Sequence, residues 1–232
     1  MDVLRVLAVI LGLALLGVAG GMLYDAAVDD DAVTSGWSVV GDAAVWIGRS
    51  EDSFVYAGGD GVRAVDGGAR VQWSAAGGAG SVRATVQGPA ARGLLLGERE
   101  AVGELVLVSV LGPETDVRTG ALVHGGTGFG EPRLPETDAV LAGRSRFDVL
   151  LNNEVLYRDL PGFWSVAQAL RKDDGSIRNQ GLVFNPLLRD RTIFADPDRL
   201  ELTVLVYTGE DLAVLGHAVF RDVGVVPPVA LR

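Results

Sequence analysis

The chain contains no cysteine, and this absence excludes a wide range of chemistry. Disulfide bridges, thiolate-held zinc, iron–sulfur clusters, blue copper and cysteine nucleophiles all need a thiol. A bacterial lipoprotein anchor needs one as well. The absence says nothing about the redox compartment, because no thiol is present to be oxidised.

Positive charge is scarce, and Lys172 is the only lysine among 20 basic residues. With 30 acidic residues the formal net charge is −10. A negative surface repels phosphate backbones, so we expect no nucleic-acid partner. The acidic, lysine-poor composition resembles that of halophiles, and it fits either a salt-rich environment or the codon bias of a GC-rich genome.

One long apolar run is present, at the N-terminus, where residues 6–24 carry no charge. As a helix they would span ~28 Å, close to the hydrocarbon thickness of a bilayer. We therefore predict a transmembrane signal anchor at 6–24, with a cleaved signal peptide as the alternative. Arg5 precedes the run and four aspartates follow it. The positive-inside rule then predicts a single-pass cell-membrane protein with residues 1–5 in the cytoplasm and the bulk of the chain extracytoplasmic.

Small residues recur at four-residue spacing within this predicted span. Such pairs let two membrane helices approach closely, so they predict a partner helix, although small residues are also common in membrane helices generally. The residues expected at this helix-packing surface are Ala8, Gly12, Gly17 and Gly21.

Beyond an acidic tether at 25–36, the pattern is one of short apolar runs separated by turns. Residues 81–87 alternate apolar and polar, which is typical of a strand with one buried face. Residues 104–111 are apolar on both sides and predict a central strand. Asn152 and Asn153 predict a two-residue hairpin turn, because asparagine tolerates positive φ.

These patterns predict a mainly β fold, with the transmembrane helix followed by a β-sandwich-like ectodomain of one large or two small β units. Residues 112–138 are rich in glycine and proline and contain the tetrapeptide PETD twice, so we interpret them as a long connection with turns. The predicted organisation is a first β unit at 37–111, this connection, a second β unit at 139–226 and a tail at 227–232.

The second β unit is predicted to hold one amphipathic helix near 160–172. Apolar residues fall there at spacings of three and four, and a cation pair follows in the last turn. We interpret the segment as scaffold that packs on a sheet, with Leu170 on the buried face. Trp164 at its rim and Lys172 at its end are the candidates for a partner surface.

The two histidines, His124 and His217, are the candidates for binding a metal or haem. His124 opens the glycine-rich sequence HGGTGFG at 124–130. His-Gly-Gly occurs in esterase oxyanion loops, but the required G-x-S-x-G elbow is absent from the sequence. Neither a P-loop nor a dinucleotide-binding pattern fits the glycines, so a flexible or tightly turned loop is the main interpretation.

Clustered aspartates are weak candidates for a calcium site, although each is also an ordinary turn residue, and no EF-hand spacing occurs. These candidates are Asp173, Asp174, Asp196 and Asp198. A carboxylate-dependent hydrolase is a further alternative, but nothing in the sequence selects one pair among the acidic residues. No catalytic residue is therefore assigned.

The sequence favours a non-catalytic function. We expect an anchored extracytoplasmic β domain that acts as an accessory subunit or interaction module of a membrane or cell-surface assembly. The partners expected are other membrane or surface subunits, bound through the transmembrane helix and the ectodomain. The alternative is a metal- or haem-binding subunit, which would use the two histidines in redox chemistry.

Overall fold

The computed structural model describes residues 36–46, 63–88, 103–173, 176–178, 194–208 and 213–228. These residues are mainly extended, with a 3-10 turn at Gly125–Thr127. The strands are β1 (Trp37–Trp46), β2 (Arg63–Ala64), β3 (Gly67–Ser74), β4 (Ala79–Gly88), β5 (Gly103–Leu111), β6 (Asp116–Val123), β7 (Thr137–Leu151), β8 (Glu154–Ala169), β9 (Asp196–Thr208) and β10 (Ala213–Val226).

Eight of these strands form a closed antiparallel barrel. Their order is β1-β3-β4-β5-β7-β8-β9-β10, and β10 pairs back onto β1, with Val39 opposite Val225. The mainly β prediction is confirmed, but the sandwich is corrected to a barrel. The predicted first and second β units share one circuit, because the first and last strands meet. A local strand pattern contains no information on that long-range pairing.

The inward-facing side chains of the barrel form one apolar cluster. The predicted alternation at 81–87 is confirmed, since Val82, Ala84 and Val86 are buried in this cluster. The largest members are Trp164, Phe147 and Phe220. An eight-stranded barrel is narrow enough for its own side chains to fill it, and these aromatic residues are of the size that does so.

Two further local predictions are confirmed. In β5, Leu105, Val106, Leu107 and Val108 are all buried, as expected of a strand covered on both faces. Asn152 and Asn153 have φ values of 51° and 65° and connect β7 to β8, in keeping with a hairpin turn that needs positive φ at both positions.

The predicted connection at 112–138 contains a strand that sequence reasoning missed. Residues 116–123 form β6, which pairs with the first half of β7, whereas β5 pairs with the second half. β5 and β6 thus run in one direction along β7, separated by a turn at 112–115. The first PETD forms this turn, where Thr115 Oγ1 accepts a hydrogen bond of 3.0 Å from the Gly112 N–H.

The predicted helix near 160–172 is wrong, because residues 154–169 form β8. The second half of the strand is buried on both faces: Trp164 and Val166 point into the barrel, whereas Phe163 and Ala167 belong to a second apolar cluster outside it. A strand covered on both faces has no polar alternation, so its apolar residues also fall by chance at helical spacing.

The second cluster lies on the outer face of β7, β8 and β9. It is covered by Phe129 and Leu134 from the segment between β6 and β7, and by Phe194 just before β9. Leu170 belongs to it, so its predicted burial is confirmed although its helix is not. The members are Val123, Phe129, Leu134, Ala139, Ala142, Phe163, Ala167, Leu170, Ile177, Phe194, Ala195 and Leu205.

The described residues contain no helix of the length and apolarity that crossing a bilayer requires. The anchor predicted at 6–24, with its small-residue pairs, and the tether up to residue 35 lie outside the described residues. The anchor therefore stays a prediction.

Truncating Leu170 to alanine should destabilise the protein by ~2–5 kcal/mol, the usual range for a buried leucine, because Leu170 is only 1% exposed within the second cluster. Lys172→Ala is the matched control two residues away. Lys172 is exposed, so its loss should change the free energy of unfolding by less than ~0.5 kcal/mol. Urea unfolding of both variants tests this, and equal midpoints would contradict the packing described for Leu170.

Candidate functional site

Six polar residues, which we call the polar cluster, lie buried on or against the outer face of β8, β9 and β10. Ser165 pairs with Thr203 across β8 and β9, and His217 lies on the neighbouring strand β10, opposite Leu205. Each member is at most 4% exposed. The members are His124, Ser165, Arg171, Glu201, Thr203 and His217.

The segment 124–136, which we call the glycine loop, is held by a dense set of hydrogen bonds around His124. The His124 N–H donates to the Phe129 carbonyl over 2.8 Å, and Thr127 Oγ1 donates to the His124 carbonyl over 2.7 Å. The Glu131 N–H donates to His124 Nδ1 over 3.0 Å. Because Nδ1 is the acceptor, the neutral imidazole carries its proton on Nε2.

His124 has a backbone conformation that is almost restricted to glycine, with φ 69° and ψ −175°. For a residue with a side chain this conformation costs ~1–3 kcal/mol, and such residues concentrate at functional sites. The glycine at 130 is needed here, because a Cβ on Gly130 would lie 2.7 Å from His124 Nδ1. The sequence HGGTGFG correctly predicted a tight loop, but not this conformation.

Two buried residues of opposite charge type, Arg171 and Glu201, interact inside the polar cluster. Glu201 Oε2 accepts a hydrogen bond of 3.2 Å from the Arg171 N–H. Burial lowers the pKa of Arg171 to about 10, and the Glu201 charge opposes that shift, so Arg171 stays protonated at neutral pH. Burial also raises the pKa of Glu201, against the opposing effect of Arg171. Removing one partner of such a pair leaves an uncompensated charge in the interior.

Both histidines of the sequence prediction belong to this cluster. Burial, and secondarily the Arg171 charge, lowers the pKa of His124 to about 3. The pKa of His217 is lowered well below its ordinary value by burial, then by Arg171, His124 and Arg133. The structure thus brings the two histidines into one electrostatic environment, and both are neutral at physiological pH.

Neutral imidazole is the form that binds metals. The described residues nevertheless contain no group of three histidine, aspartate or glutamate side chains placed to hold a metal ion. His124 Nδ1 is moreover already an acceptor for Glu131. The metal or haem hypothesis for the two histidines therefore gains no third ligand within the described part of the chain, and it stays a prediction.

The glycine loop is tied to the barrel through a second buried carboxylate, Glu131. One of its oxygens lies 2.7 Å from Arg133 Nε, and the other accepts a 3.5 Å hydrogen bond from the hydroxyl of Tyr207 on β9. Burial and the nearby Glu131 charge raise the pKa of Tyr207, so the hydroxyl keeps its proton and remains a donor. Sequence reasoning missed these residues, since nothing marks one glutamate among so many acidic residues.

Among the described residues, the candidate calcium ligands belong to no group placed to hold a metal ion. Asp173 forms ion pairs with Arg199 and Arg221, and the hydrogen bond from Arg199 is the main reason that the pKa of Asp173 is lowered. Asp196 pairs with Arg178 over 2.7 Å. Asp198 is an exposed residue at the start of β9, and Asp174 lies outside the described residues.

Of the two candidates for a partner surface, one is buried and the other is exposed. Trp164 is fully buried inside the barrel, so its assignment to a partner surface is corrected: its position in the strand turns it inward. Lys172 is exposed, and its N–H donates to the Ser176 carbonyl over 2.8 Å. The role of the Lys172 side chain stays a prediction.

No protein-family model, curated protein or solved structure matches this chain. Its function has to be inferred from its own residues.

Replacing His124 by glycine should give a more stable protein than replacing it by alanine, by ~1–3 kcal/mol, because only glycine adopts this backbone conformation without strain. Both variants lose the imidazole, so their difference isolates the backbone. Chemical unfolding measures it. Equal stability of the two variants would show that His124 is not strained in solution.

The free energy of unfolding should fall as the pH is lowered from ~6.5, the unfolded pKa of histidine, towards about 3, the folded pKa of His124. In that window the unfolded chain binds more protons than the folded one, so stability rises with pH, by up to ~1.4 kcal/mol per unit for each histidine. His217 acts in the same direction.

His124→Asn is the control for this pH dependence, since its amide oxygen can accept the Glu131 N–H but does not titrate. The variant should lose stability less steeply below pH 6.5. Comparing the two proteins cancels the contributions of carboxylates common to both. Parallel stability curves would contradict the burial of a neutral His124.

Proposed function

We propose that the protein is a non-catalytic interaction module that binds a partner polypeptide along β6. The observation that carries this proposal is the position of β6 outside the closed circuit. Among the described residues β6 pairs only with β7, whereas each strand of the circuit has a neighbour on both sides. A strand with one neighbour presents unpaired N–H and C=O groups, which a strand of another chain can accept.

The exposure of β6 supports this use of its edge. Residues that point to either face of β6 are exposed, among them Arg118, Thr119 and Gly120. This part of the strand is therefore covered on neither face. Leu122 is 49% exposed, although leucine side chains are usually buried. An edge strand with an exposed leucine is a surface on which strand addition would bury both backbone and apolar groups.

The remainder of the barrel explains why β6 is the favoured surface. Closure pairs the edges of most of the other long strands with one another, and the residues of the polar cluster are buried. Residues 154–161 of β8 also have β7 as their single described neighbour, but this edge is interrupted by Asp159 at positive φ and by Pro161, which has no N–H to donate. β6 has a single described neighbour along its whole length.

The proposal includes the location that the sequence predicts. An anchor at 6–24 would hold the barrel at the extracytoplasmic face of the cell membrane with its N-terminus inside. The partners would then be other subunits of a membrane or cell-surface assembly. The acidic composition agrees with a partner other than nucleic acid.

Introducing two lysines on β6, as Thr119→Lys with Leu122→Lys, should reduce retention of the partner at least about tenfold, because lysines on an edge strand oppose strand addition. The measurement is co-purification of the full-length chain from its native membrane in mild detergent. The matched control is Val110→Lys with Val226→Lys, which adds the same charge at exposed apolar positions on strands of the circuit. Equal retention of the partner by the two double variants would contradict the proposal.

A further inference from the structure

The polar cluster contains a buried hydroxyl that no described residue satisfies. Ser165 is 1% exposed, and its Oγ has no hydrogen-bond partner in the described part of the chain. A buried polar group left unpaired costs free energy, and a bound ion or water is a common reason for finding one in a native protein. Strand pairing places the Ser165 side chain beside that of Thr203 on β9. Two hydroxyls therefore lie side by side on the barrel wall beneath the rest of the cluster.

One histidine of the cluster lies beside these hydroxyls on the same wall. Thr203 pairs with Val219 on β10, and Leu205 pairs with His217. His217 is therefore the diagonal neighbour of Thr203, and diagonal neighbours in a sheet lie ~7–8 Å apart.

The other histidine approaches the hydroxyls from the glycine loop. The His124 ring packs edge-on against Phe163, with the ring centroids 5.3 Å apart, and Phe163 precedes Ser165 by two residues on the same face of β8. His124 Nδ1 accepts the Glu131 N–H, so the neutral ring carries its proton on Nε2. His124 thus adds an N–H donor to the site.

Arg171 adds a positive charge to the same layer. Its backbone N–H donates to Glu201 Oε2, and Glu201 precedes Thr203 by two residues on β9. Burial, and then the Arg171 charge, lowers the pKa of both histidines, so this charge lies within electrostatic reach of each. A guanidinium has several N–H donors and no acceptor. Donors therefore predominate in the polar cluster, and Glu201 is its one carboxylate.

We infer that the polar cluster is a buried binding site for one small monovalent anion, with chloride as the simplest example, held by the Ser165 hydroxyl, the His124 Nε2–H and the Arg171 charge. An anion accepts from several donors at once, whereas a water molecule also has to donate. Each member of the cluster is at most 4% exposed, which excludes large anions. The inference does not depend on the proposed function, since none of these residues lies on β6.

The ionised Glu201 carboxylate and the bound anion would compete for the charge of Arg171. Burial raises the pKa of Glu201, and the charges of Arg171 and, more weakly, Arg199 oppose that shift. On β10, Arg221 forms an ion pair with Asp173 instead, and both histidines are neutral. An anion beside Arg171 should raise the pKa of Glu201 further, so the affinity for the anion should rise as the pH is lowered.

Replacing Glu201 by glutamine tests this competition in the full-length chain. The amide removes the competing charge and keeps an oxygen that can accept the Arg171 N–H. In sodium gluconate, whose anion is too large to enter, the variant should be less stable than the native chain, because Arg171 loses its compensating carboxylate. Sodium chloride at the same ionic strength should raise its thermal midpoint by about 5 °C or more. The native chain at neutral pH should respond less, and equal ionic strength removes general screening from the comparison.

Two serines provide a matched pair for locating the site. Ser165 and Ser109 are both 1% exposed, and the Oγ of each has no partner among the described residues, but Ser109 lies on β5 outside the polar cluster. In the Glu201→Gln background, Ser165→Ala should weaken chloride binding at least about fivefold, and Ser109→Ala should leave it unchanged. Bromide, which scatters X-rays anomalously, should give a peak within hydrogen-bond reach of Ser165 Oγ in crystals of the full-length chain.

Each of these measurements can overturn the anion site. It would be wrong if chloride and gluconate stabilised Glu201→Gln equally, if that variant failed to fold in chloride, or if the two serine variants bound chloride alike. Bromide peaks confined to other places would mean that Ser165 bonds to water instead. Any of these results would leave the proposed use of β6 unaffected. Chloride rescue of Glu201→Gln that is lost with Ser165→Ala would support the inference.

Discussion

The antiparallel pairing of β1 with β10 brings residues 38–46 against residues 218–226 and closes the sheet. Closure satisfies the backbone groups of the first and last strands and encloses the apolar side chains that the strands turn inward. It also determines which surfaces remain available. Once the circuit is complete, the outer face and the two strands that lie off the circuit, β2 and β6, are what the described part of the molecule presents to its surroundings.

The outer face of β8 and β9 is unusual because it is also buried. Phe163 and Leu205 belong to the second apolar cluster, and on the same face of the strands are Glu201, Thr203 and His217, which are polar and buried. Polar groups in that position lose water, so they depend on one another and on the segments above them. The Arg171 charge is held there beside Glu201, and it helps to keep both histidines neutral.

The strand content and several turns were predictable from the sequence because they depend on neighbours along the chain. Val82, Ala84 and Val86 alternate with polar residues, and Asn152-Asn153 has the residue type that a tight hairpin needs. Burial on both faces erased the same signal in β8, where Phe163, Trp164 and Val166 produced a false helical spacing. Only part of the polar cluster was predictable. The two histidines stand out in the sequence because histidine is rare in this chain. Glu201 and Arg171 are recognised as neighbours only once the fold brings these distant segments together.

The glycine loop connects β6 to the buried polar cluster. β6 ends at Val123, and the next residue is His124, whose strained backbone turns the chain over the polar cluster. The hydrogen bond from the Glu131 N–H to His124 Nδ1, and the bond from Tyr207 to Glu131, hold that turn against β9. Because β7 is the single described neighbour of β6, the position of β6 depends on how firmly this loop is held. The buried polar residues can therefore serve a binding function without contacting a partner, by fixing the strand that does.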